Sequence, residues 1–550
     1  MADNYKETEC LVIGSGIAGA TCAYVAARAG LKVCLLSKRS DPNTTNTYWA
    51  QGGIVYTGHD DSPELLVDDV MRAGRGLNNR AAVEFLAANG PRVVREILID
   101  VAKVAFARNG DKGELDLTRE GAHSVNRILY SADNTGREIQ LALMAVLRSM
   151  ENVEIITGAT AIDVITLRHH STDLQARYLL EDRCAGAYVY CEEKKEVVTI
   201  LAQRTVLATG GLADIFLHST NEKGTVGDGV VMAKRAGVDV INMEYIQFHP
   251  TTLYIPGEKR FLLSEALRGE GARLRNLRGE QFMQRYNPEL RDLAGRDEVT
   301  IAIWDEMIEN GEDHVLLDVA NYIDEDPAIR FPTIYATCLA AGIDIKKDPV
   351  PVVPAAHYFC GGVLVDRCGR TTLSGLYAVG EVSCTGLHGA NRLASTSLLE
   401  GLLWGYEAAN DIVDQMSRGV TIAFPMLTSV RDWIPTGYVE NEDPALIAQD
   451  WLSIKSTMWN YVGIVRTHQR LKIAIEDLRH MYLRIEDFYR RTPVSKEIIG
   501  LFHGAQAAIL VTDAALRNST SVGCHFIRSN KGSTRRFPAM PGGSEIAQHV

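Results

Sequence analysis

Three glycines near the start of the chain, Gly14, Gly16 and Gly19, have the spacing that binds the phosphates of a dinucleotide. In such a turn the first glycine permits a tight bend, the second lets a pyrophosphate approach the main chain, and the third lets helix and strand pack closely. The helix that follows offers free N–H groups and the positive end of its dipole to the anion. The spacing therefore predicts a bound dinucleotide.

The segments around this turn have the patterns that it needs. Residues 8–13 form a short apolar run suited to a buried parallel strand, an alanine-rich helix follows to about residue 29, and residues 31–36 form a second apolar strand. Two later apolar runs that end in glycine, 205–211 and 375–381, are predicted to return to the same sheet. These patterns predict an α/β fold with a Rossmann-like domain.

The end of the second strand departs from the usual dinucleotide fingerprint. An Asp or Glu is expected there to hold the ribose hydroxyls, but this chain has Ser37 and Lys38. A lysine at this place would also suit the extra phosphate of NADP. The glycine turn by itself therefore leaves the choice between FAD and NADP open.

Length, charge and cysteine usage limit the class of protein. A chain of 550 residues, 46% of them hydrophobic, can bury more than one core, so we expect two or three domains. The net charge of −12 argues against a nucleic-acid or anionic-membrane surface. The ten cysteines lack zinc-site spacing, and the polar first residues lack a signal-peptide pattern. We therefore expect a cytoplasmic protein without metal or membrane anchor.

The residue pattern divides the chain into five segments. We expect a cofactor-binding domain at residues 1–241 and 354–424, interrupted at 242–353 by an inserted α+β capping domain rich in charged and aromatic residues. From about residue 425 the pattern turns helical, and residues 451–517 place apolar and charged positions at helical spacing, which predicts a C-terminal helical bundle at 425–529. Residues 530–550 lack periodicity, and we expect them to form a disordered tail.

Six short segments carry a resemblance to a known family. They are residues 46–53 (NTYWAQGG), 208–211 (ATGG), 227–229 (GDG), 248–251 (FHPT), 265–271 (EALRGEG) and 388–392 (HGANR). In this order they resemble the succinate dehydrogenase, fumarate reductase and L-aspartate oxidase family of flavoproteins, over roughly residues 8–520. That family also has Ser-Lys after its second strand, so the resemblance implies FAD and removes the NADP interpretation.

The resemblance also implies which residues contact FAD. They are Gly14, Ser15, Gly16, Ile17, Ala18, Gly19, Ser37, Lys38, Asn46, Thr47, Tyr48, Trp49, Ala50, Gln51, Gly52, Gly53, Thr160, Ala161, Asp228, Glu381, Ser397 and Leu398. Thr160 and Ala161 depend on the alignment of a variable strand. Respiratory members carry at position 46 the histidine that links covalently to the flavin. Asn46 therefore implies that FAD is held without a covalent bond.

For the substrate, the resemblance implies a four-carbon dicarboxylate. The family binds the two carboxylates through the positions that match His249, Ser264, His357 and Arg392, where arginine can form a bidentate clamp. Ser264 replaces the usual threonine and keeps its hydroxyl. Arg296 matches the family's proton donor or acceptor, a role that needs a relay because an arginine is always charged.

Glu120 distinguishes between members of this family. It lies in residues 118–124 (TREGAHS), which resemble the segment that places an acid near the substrate amine in aspartate oxidases. A carboxylate there repels succinate and attracts the ammonium of aspartate. The alternative is that Glu120 is a solvated glutamate on the protein surface. Residues 353–362 and 458–467 resemble the same members.

The resemblance thus implies oxidation of L-aspartate to iminoaspartate, with electrons passed to O2 or fumarate. It also implies the first step of de novo NAD biosynthesis and handover of iminoaspartate to quinolinate synthase. One alternative is a fumarate reductase or succinate dehydrogenase flavoprotein subunit with iron–sulfur and membrane partners, against which Asn46 and Glu120 argue. The other is a flavin-binding scaffold without catalysis, against which the complete set of ligand-binding residues argues.

Overall fold

The computed structural model describes residues 5–110, 113–178, 181–323, 325–439 and 443–528. The tail predicted at residues 530–550 lies outside the described residues. The strands are β1 Tyr5–Ile13, β2 Val33–Leu36, β3 Ile54–Val55, β4 Leu117–Thr118, β5 Ile128–Leu129, β6 Val153–Ile156, β7 Ala159–Thr166, β8 Cys184–Cys191, β9 Glu196–Leu207, β10 Val240–Ile241, β11 Ile246–Leu253, β12 Phe261–Leu262, β13 Arg273–Arg275, β14 Val315–Asp318, β15 Val350–Phe359, β16 Gly362–Leu364, β17 Leu376–Ala378 and β18 Ser383–Cys384.

The helices connect and cover these strands. They are α1 Ile17–Arg28, α2 Pro63–Ala73, α3 Arg80–Val93, α4 Thr135–Arg148, α5 Leu167–His170, α6 Leu174–Arg177, α7 Asp228–Arg235, α8 Glu265–Gly269, α9 Met283–Tyr286, α10 Arg296–Asn310, α11 Pro327–Arg330, α12 Pro332–Ala340, α13 Thr396–Ser417, α14 Phe424–Leu427, α15 Pro444–Val462, α16 His468–Arg491 and α17 Lys496–Arg517. A π-helical segment, Val94–Val101, continues α3.

The largest sheet carries the glycine turn. Its order is β6-β2-β1-β9-β8-β7, and β17 pairs with the last residues of β9. The strands β6, β2, β1, β9 and β17 are parallel, whereas β8 and β7 pair antiparallel. The runs predicted at 205–211 and 375–381 therefore do return to the first sheet, and the predicted α/β, Rossmann-like fold is confirmed.

Helix α13 packs closely on α1 beside this sheet. A side chain at Gly405 would lie 2.4 Å from the main-chain oxygen of Ala18, and one at Gly401 would also contact α1. Glycine at both positions therefore allows the two helix backbones to approach. The first turn of α13 comes to lie beside the first turn of α1, so two chain segments almost 400 residues apart meet at the glycine turn.

A second, mainly antiparallel sheet has the order β12-β11-β15-β14-β13 and packs against α10. It spans most of the segment expected to form the capping domain, and its strand β15 continues to Phe359. We propose the domain division expected from the sequence, with β15 as the strand that leads back to the cofactor-binding domain.

Three long helices, α15, α16 and α17, pack on one another near the end of the described chain. By length and composition alone, α17 is the one helix among the described residues that could cross a membrane. In the apolar window that meets this test, 67% of the residues are buried within the protein. The apolar residues of α17 thus have a packing role in the helical bundle.

Candidate active site

One continuous cleft of about 500 Å³ runs from the glycine turn to the capping sheet. All six residues predicted to act on the substrate line it: Glu120, His249, Ser264, Arg296, His357 and Arg392. The predicted cofactor contacts line it as well, apart from Gly19 and Tyr48. The fold therefore brings the two predicted groups of residues into one site.

The glycine turn has the geometry that a phosphate needs. Gly14 has φ +118°, and a Cβ atom there would lie 2.1 Å from the main-chain oxygen of Ala208. A Cβ atom at Gly19 would lie 2.0 Å from the oxygen of Gly14, so Gly19 serves packing and does not face the cleft. The main-chain N–H of Ile17 donates to Thr47 Oγ1 at 3.0 Å, which joins residues 46–53 to the first turn of α1.

Lys38 has a protein partner for its charge. Its Nζ donates to Asp228 Oδ2 at 2.9 Å, and His503 Nδ1 lies 2.8 Å from the other oxygen of that carboxylate. Burial opposes ionisation of Asp228, but Lys38 and His503 outweigh it and lower the pKa of Asp228. Because Asp228 already neutralises Lys38, the structure does not favour an additional phosphate there, in agreement with FAD.

Other polar residues of the cleft differ in whether their hydrogen-bonding groups are free for a ligand. Thr160 Oγ1 is buried and has no hydrogen-bond partner among the described residues, as expected for a group that binds a ligand. Burial raises the pKa of Glu381 to about 7, so this carboxyl group is readily protonated and can donate as well as accept. Asn46 donates to Asn221 at 3.2 Å and accepts from the N–H of Glu222 at 2.8 Å, which makes it an uncharged part of the wall.

Two arginines lie together on the substrate side of the cleft. Gln247, which is fully buried, accepts from Arg296 NH1 at 3.2 Å and from Arg392 Nε at 3.3 Å through the same oxygen. The guanidinium of Arg392 also lies 4.7 Å from the centre of the Tyr358 ring. Burial and the like charge of Arg296 lower the pKa of Arg392 to about 10, so Arg392 is still cationic at neutral pH.

Arg296 continues into a buried series of charged groups. Its Nε donates to Glu265 Oε2 at 2.7 Å, and Arg268 NH2 lies 3.5 Å from the same oxygen. Burial opposes ionisation of Glu265, but Arg296 and Arg268 outweigh it and lower the pKa of Glu265 to about 2. Arg296 is thus held in place by a fixed carboxylate that stays ionised at neutral pH.

The two predicted histidines are neutral hydrogen-bonding groups. Burial, together with nearby arginines, lowers the pKa of both His249 and His357 well below the usual range. Nδ1 of His249 lies 3.0 Å from the oxygen of Thr251, and Nδ1 of His357 lies 2.8 Å from Thr220 Oγ1. Nε2 is therefore the ring nitrogen left to contact a ligand, and the positive charge of the site comes from the arginines.

Glu120 and Ser264 complete the substrate side. Glu120 accepts a hydrogen bond from Ser395, and its other oxygen lies beside Gly52. Glu120 lines the cleft and is partly buried, and this burial raises its pKa, which argues against a freely solvated surface carboxylate. Ser264 caps α8, where its hydroxyl accepts from the N–H of Ala266 at 3.3 Å.

Several residues of the site were missed by sequence reasoning. They are Gln247, Glu265, Arg268, Ser395, Tyr358 and His503. Glu265 and Arg268 lie in residues 265–271, one of the segments that carry the family resemblance, so this segment could have identified them. His503 had no such signal, because it lies in α17 and reaches the cofactor side only through the packing of that helix on α7.

Comparisons with known proteins identify the family of this chain. A family model described as FAD binding domain matches residues 9–398. An L-aspartate oxidase of Pseudomonas aeruginosa is 42% identical over 533 residues, which are 96% of this chain and 96% of that protein. L-aspartate oxidase 1 of Ralstonia nicotianae is 43% identical and covers 94% of each chain. A solved E. coli quinol fumarate reductase variant is 26% identical, with a TM-score of 0.84 and coverage of 96% of this chain and 92% of that one.

The expected cofactor is thereby confirmed. The family match spans the glycine turn, residues 46–53 and the segment up to the start of α13, and these regions form the cofactor side of the cleft. The dinucleotide that this protein binds is FAD.

Proposed function

This chain belongs to the L-aspartate oxidase family of FAD-binding flavoproteins, and we propose from this that it oxidises L-aspartate to iminoaspartate. FAD, when bound, supplies a two-electron acceptor for the hydride that leaves Cα, while the substrate nitrogen loses a proton. The two electrons pass on to O2, which gives H2O2, or to fumarate, which gives succinate.

The set of buried charges in the substrate half of the cleft carries this proposal. Three guanidinium groups, on Arg268, Arg296 and Arg392, outnumber the two carboxyl groups of Glu120 and Glu265, so this half of the cleft suits a substrate with two carboxylates. The ammonium of aspartate offsets the carboxylate of Glu120, whereas succinate has no group that does so. The charge balance therefore favours a dicarboxylate that carries an amine.

The side chains have separate tasks in this reaction. Arg392 and Arg296 hold the two carboxylates, with neutral His249 and His357 and the hydroxyl of Ser264 as hydrogen-bonding partners. Holding both ends of the substrate fixes the orientation of Cα in the cleft.

Glu120 binds the ammonium group and so distinguishes the amino dicarboxylate from one without nitrogen. The carboxylate is ready for this task because Ser395 and the wall at Gly52 hold it in place before the substrate arrives.

Reduction of fumarate uses the same site with a different role for Arg296. Fumarate needs a proton on carbon as well as a hydride, and Arg296 is the group connected to a buried carboxylate, Glu265, at 2.7 Å. We propose that Arg296 donates this proton and recovers it through Glu265. In aspartate oxidation no carbon is protonated, and Arg296 acts as an electrostatic clamp.

Asn46 supports a cofactor held without a covalent bond. An amide nitrogen is a poor nucleophile, and both polar atoms of this side chain are already bonded to Asn221 and Glu222. Asn46 therefore argues against the alternative function, a flavoprotein subunit of a respiratory complex.

We also propose the wider setting of the reaction. Iminoaspartate would pass to quinolinate synthase as the first step of de novo NAD biosynthesis, as the family implies. All ten cysteines are unpaired, which suits a reducing compartment, and we propose a cytoplasmic location.

Two measurements on the purified yellow protein test the proposed function. Acid precipitation should release all flavin into the supernatant, and L-aspartate, but neither D-aspartate nor succinate, should produce H2O2. Flavin retained in the pellet would contradict the non-covalent site. Oxidation of succinate with a dye acceptor at a higher kcat/KM than oxidation of L-aspartate would favour the respiratory subunit instead. Release of FAD without turnover of either substrate would indicate a scaffold.

A further inference from the structure

Ser395 has an unusual backbone conformation next to the substrate side of the cleft. It precedes α13 with φ +57° and ψ 8°, in the left-handed region that a non-glycine residue rarely adopts. The residue is only 7% exposed. Such conformations persist where surrounding contacts impose them, and they are concentrated at functional sites.

Two main-chain N–H groups impose this conformation. Val55 N donates to the carbonyl oxygen of Ser395 at 3.2 Å, and Gly53 N donates to its hydroxyl oxygen at 3.1 Å. Because an amide N–H can only donate, the hydroxyl must accept from Gly53, and its single hydrogen remains for another acceptor. That acceptor is Oε2 of Glu120. The direction of the hydrogen bond to Glu120 is therefore fixed by the backbone.

Ala394, which precedes Ser395, holds the turn that carries Glu120 at a second point. The carbonyl oxygen of Ala394 lies 3.0 Å from Nε2 of His123, and the N–H of His123 donates to the carbonyl oxygen of Glu120 at 3.2 Å. Burial lowers the pKa of His123, so its ring is neutral and donates one hydrogen to Ala394. Residues 394 and 395 thus hold both the side chain and the backbone of the turn that carries Glu120.

We propose that Ser395 is the residue that positions Glu120 for the substrate amine and thereby sets the preference for an amino dicarboxylate over one without nitrogen. This inference rests on the proposed function. Ser395 acts through Glu120 and is a positioning residue. Charged groups around Glu120 are Arg296, Arg392 and Glu265, and none of them replaces the hydroxyl as a hydrogen-bond donor to Glu120 among the described contacts.

Two substitutions separate the hydroxyl from the backbone strain. Ser395→Ala removes the hydroxyl and keeps a Cβ atom in the left-handed region, whereas Ser395→Gly removes both the hydroxyl and the strain. Each variant, saturated with FAD, is assayed for KM and kcat with L-aspartate and for competitive inhibition by succinate, and its thermal midpoint is recorded. We expect the KM for aspartate to rise about tenfold in both variants, as for the loss of one hydrogen bond to a charged group. The inhibition constant of succinate should change less than twofold.

The matched control is Ser171→Ala, which removes the hydroxyl of a fully buried serine that does not line the cleft. This control should change neither constant. Ser395→Gly should also have a higher thermal midpoint than Ser395→Ala, although the two share the aspartate defect. A defect in Ser395→Ala that is absent from Ser395→Gly would overturn the proposal, because strain alone would then explain it. Equal weakening of aspartate and succinate would overturn it as well.

If the Ser395 variants bind aspartate normally, Glu120→Gln shows whether the positioning role of Ser395 or the proposed function is wrong. If Glu120→Gln selectively weakens aspartate and the Ser395 variants do not, the positioning role is wrong and the proposed function stands. If Glu120→Gln weakens both ligands equally, the assignment of Glu120 to the amine is wrong. In the double variant Glu120→Gln/Ser395→Ala, the losses should be less than additive, because Ser395 acts through the charge of Glu120, which the first substitution has already removed. Fully additive losses would overturn the positioning role.

Discussion

Replacing Glu120 with glutamine removes one buried negative charge and nearly preserves the shape of the side chain. At about 4 Å and an effective dielectric constant of about 20, a carboxylate and an ammonium attract each other by about 4 kcal/mol. The glutamine amide oxygen keeps part of this attraction as a hydrogen bond, and Ser395 can still donate to it. We therefore expect a net loss of about 2–3 kcal/mol, or roughly 100-fold in kcat/KM for L-aspartate.

Succinate provides the internal comparison for this substitution. It has the two carboxylates but no ammonium, so the negative charge of Glu120 repels it in the wild-type site. Glu120→Gln should leave the inhibition constant of succinate unchanged or lower it. The ratio of the two effects is more informative than either alone, because a general disturbance of Arg296 or Arg392 would weaken both ligands.

The pH dependence gives a second measurement on the same variant. Burial raises the pKa of Glu120, so as the pH falls this group is protonated sooner than an ordinary glutamate and loses its attraction for the ammonium. The kcat/KM of the wild type for aspartate, followed by H2O2 production, should fall on the acid side through this raised pKa. Glu120→Gln should lack that decrease. The reasoning is refuted if the variant loses aspartate and succinate binding equally, or if the acid decrease persists unchanged.

Three further perturbations test other parts of the structure. Arg296→Leu should reduce fumarate turnover to below about a tenth of wild type, because it removes the group connected to Glu265. Turnover is measured anaerobically as succinate formation, and a larger residual rate would exclude Arg296 as the proton donor. His503→Ala should weaken FAD binding to the apoprotein by about tenfold in flavin fluorescence titrations, because Asp228 loses a buried partner. An unchanged affinity would contradict the role of α17 in the cofactor site. Ser495→Ala should lower the free energy of unfolding by about 1 kcal/mol in urea without changing KM, because Ser495 caps α17 far from the substrate, and an equal stability would show that the cap contributes little.

The local features of the cofactor site could be predicted from the sequence. The spacing of Gly14, Gly16 and Gly19 has a direct backbone meaning, because a Cβ atom at the first or third position would overlap main-chain atoms. The flanking strands and α1 follow from short apolar runs and an alanine-rich segment, which are local signals. Asn46, taken with the family resemblance, likewise predicts a flavin that is held without a covalent bond. Such features depend on neighbours within a few residues, which the sequence displays directly.

The substrate side depends on contacts that no local pattern contains. Glu120 is joined to Ser395, 275 positions along the chain, and only the tertiary fold brings the two residues together. The charge states also come from the tertiary structure: His249 and His357 are ordinary histidines by sequence, and their neutrality follows from burial beside arginines. The sequence determined the cofactor and the chemical type of each side chain in the site. Tertiary packing decided which of these side chains are charged and which face one another, because desolvation and Coulomb interactions act through space.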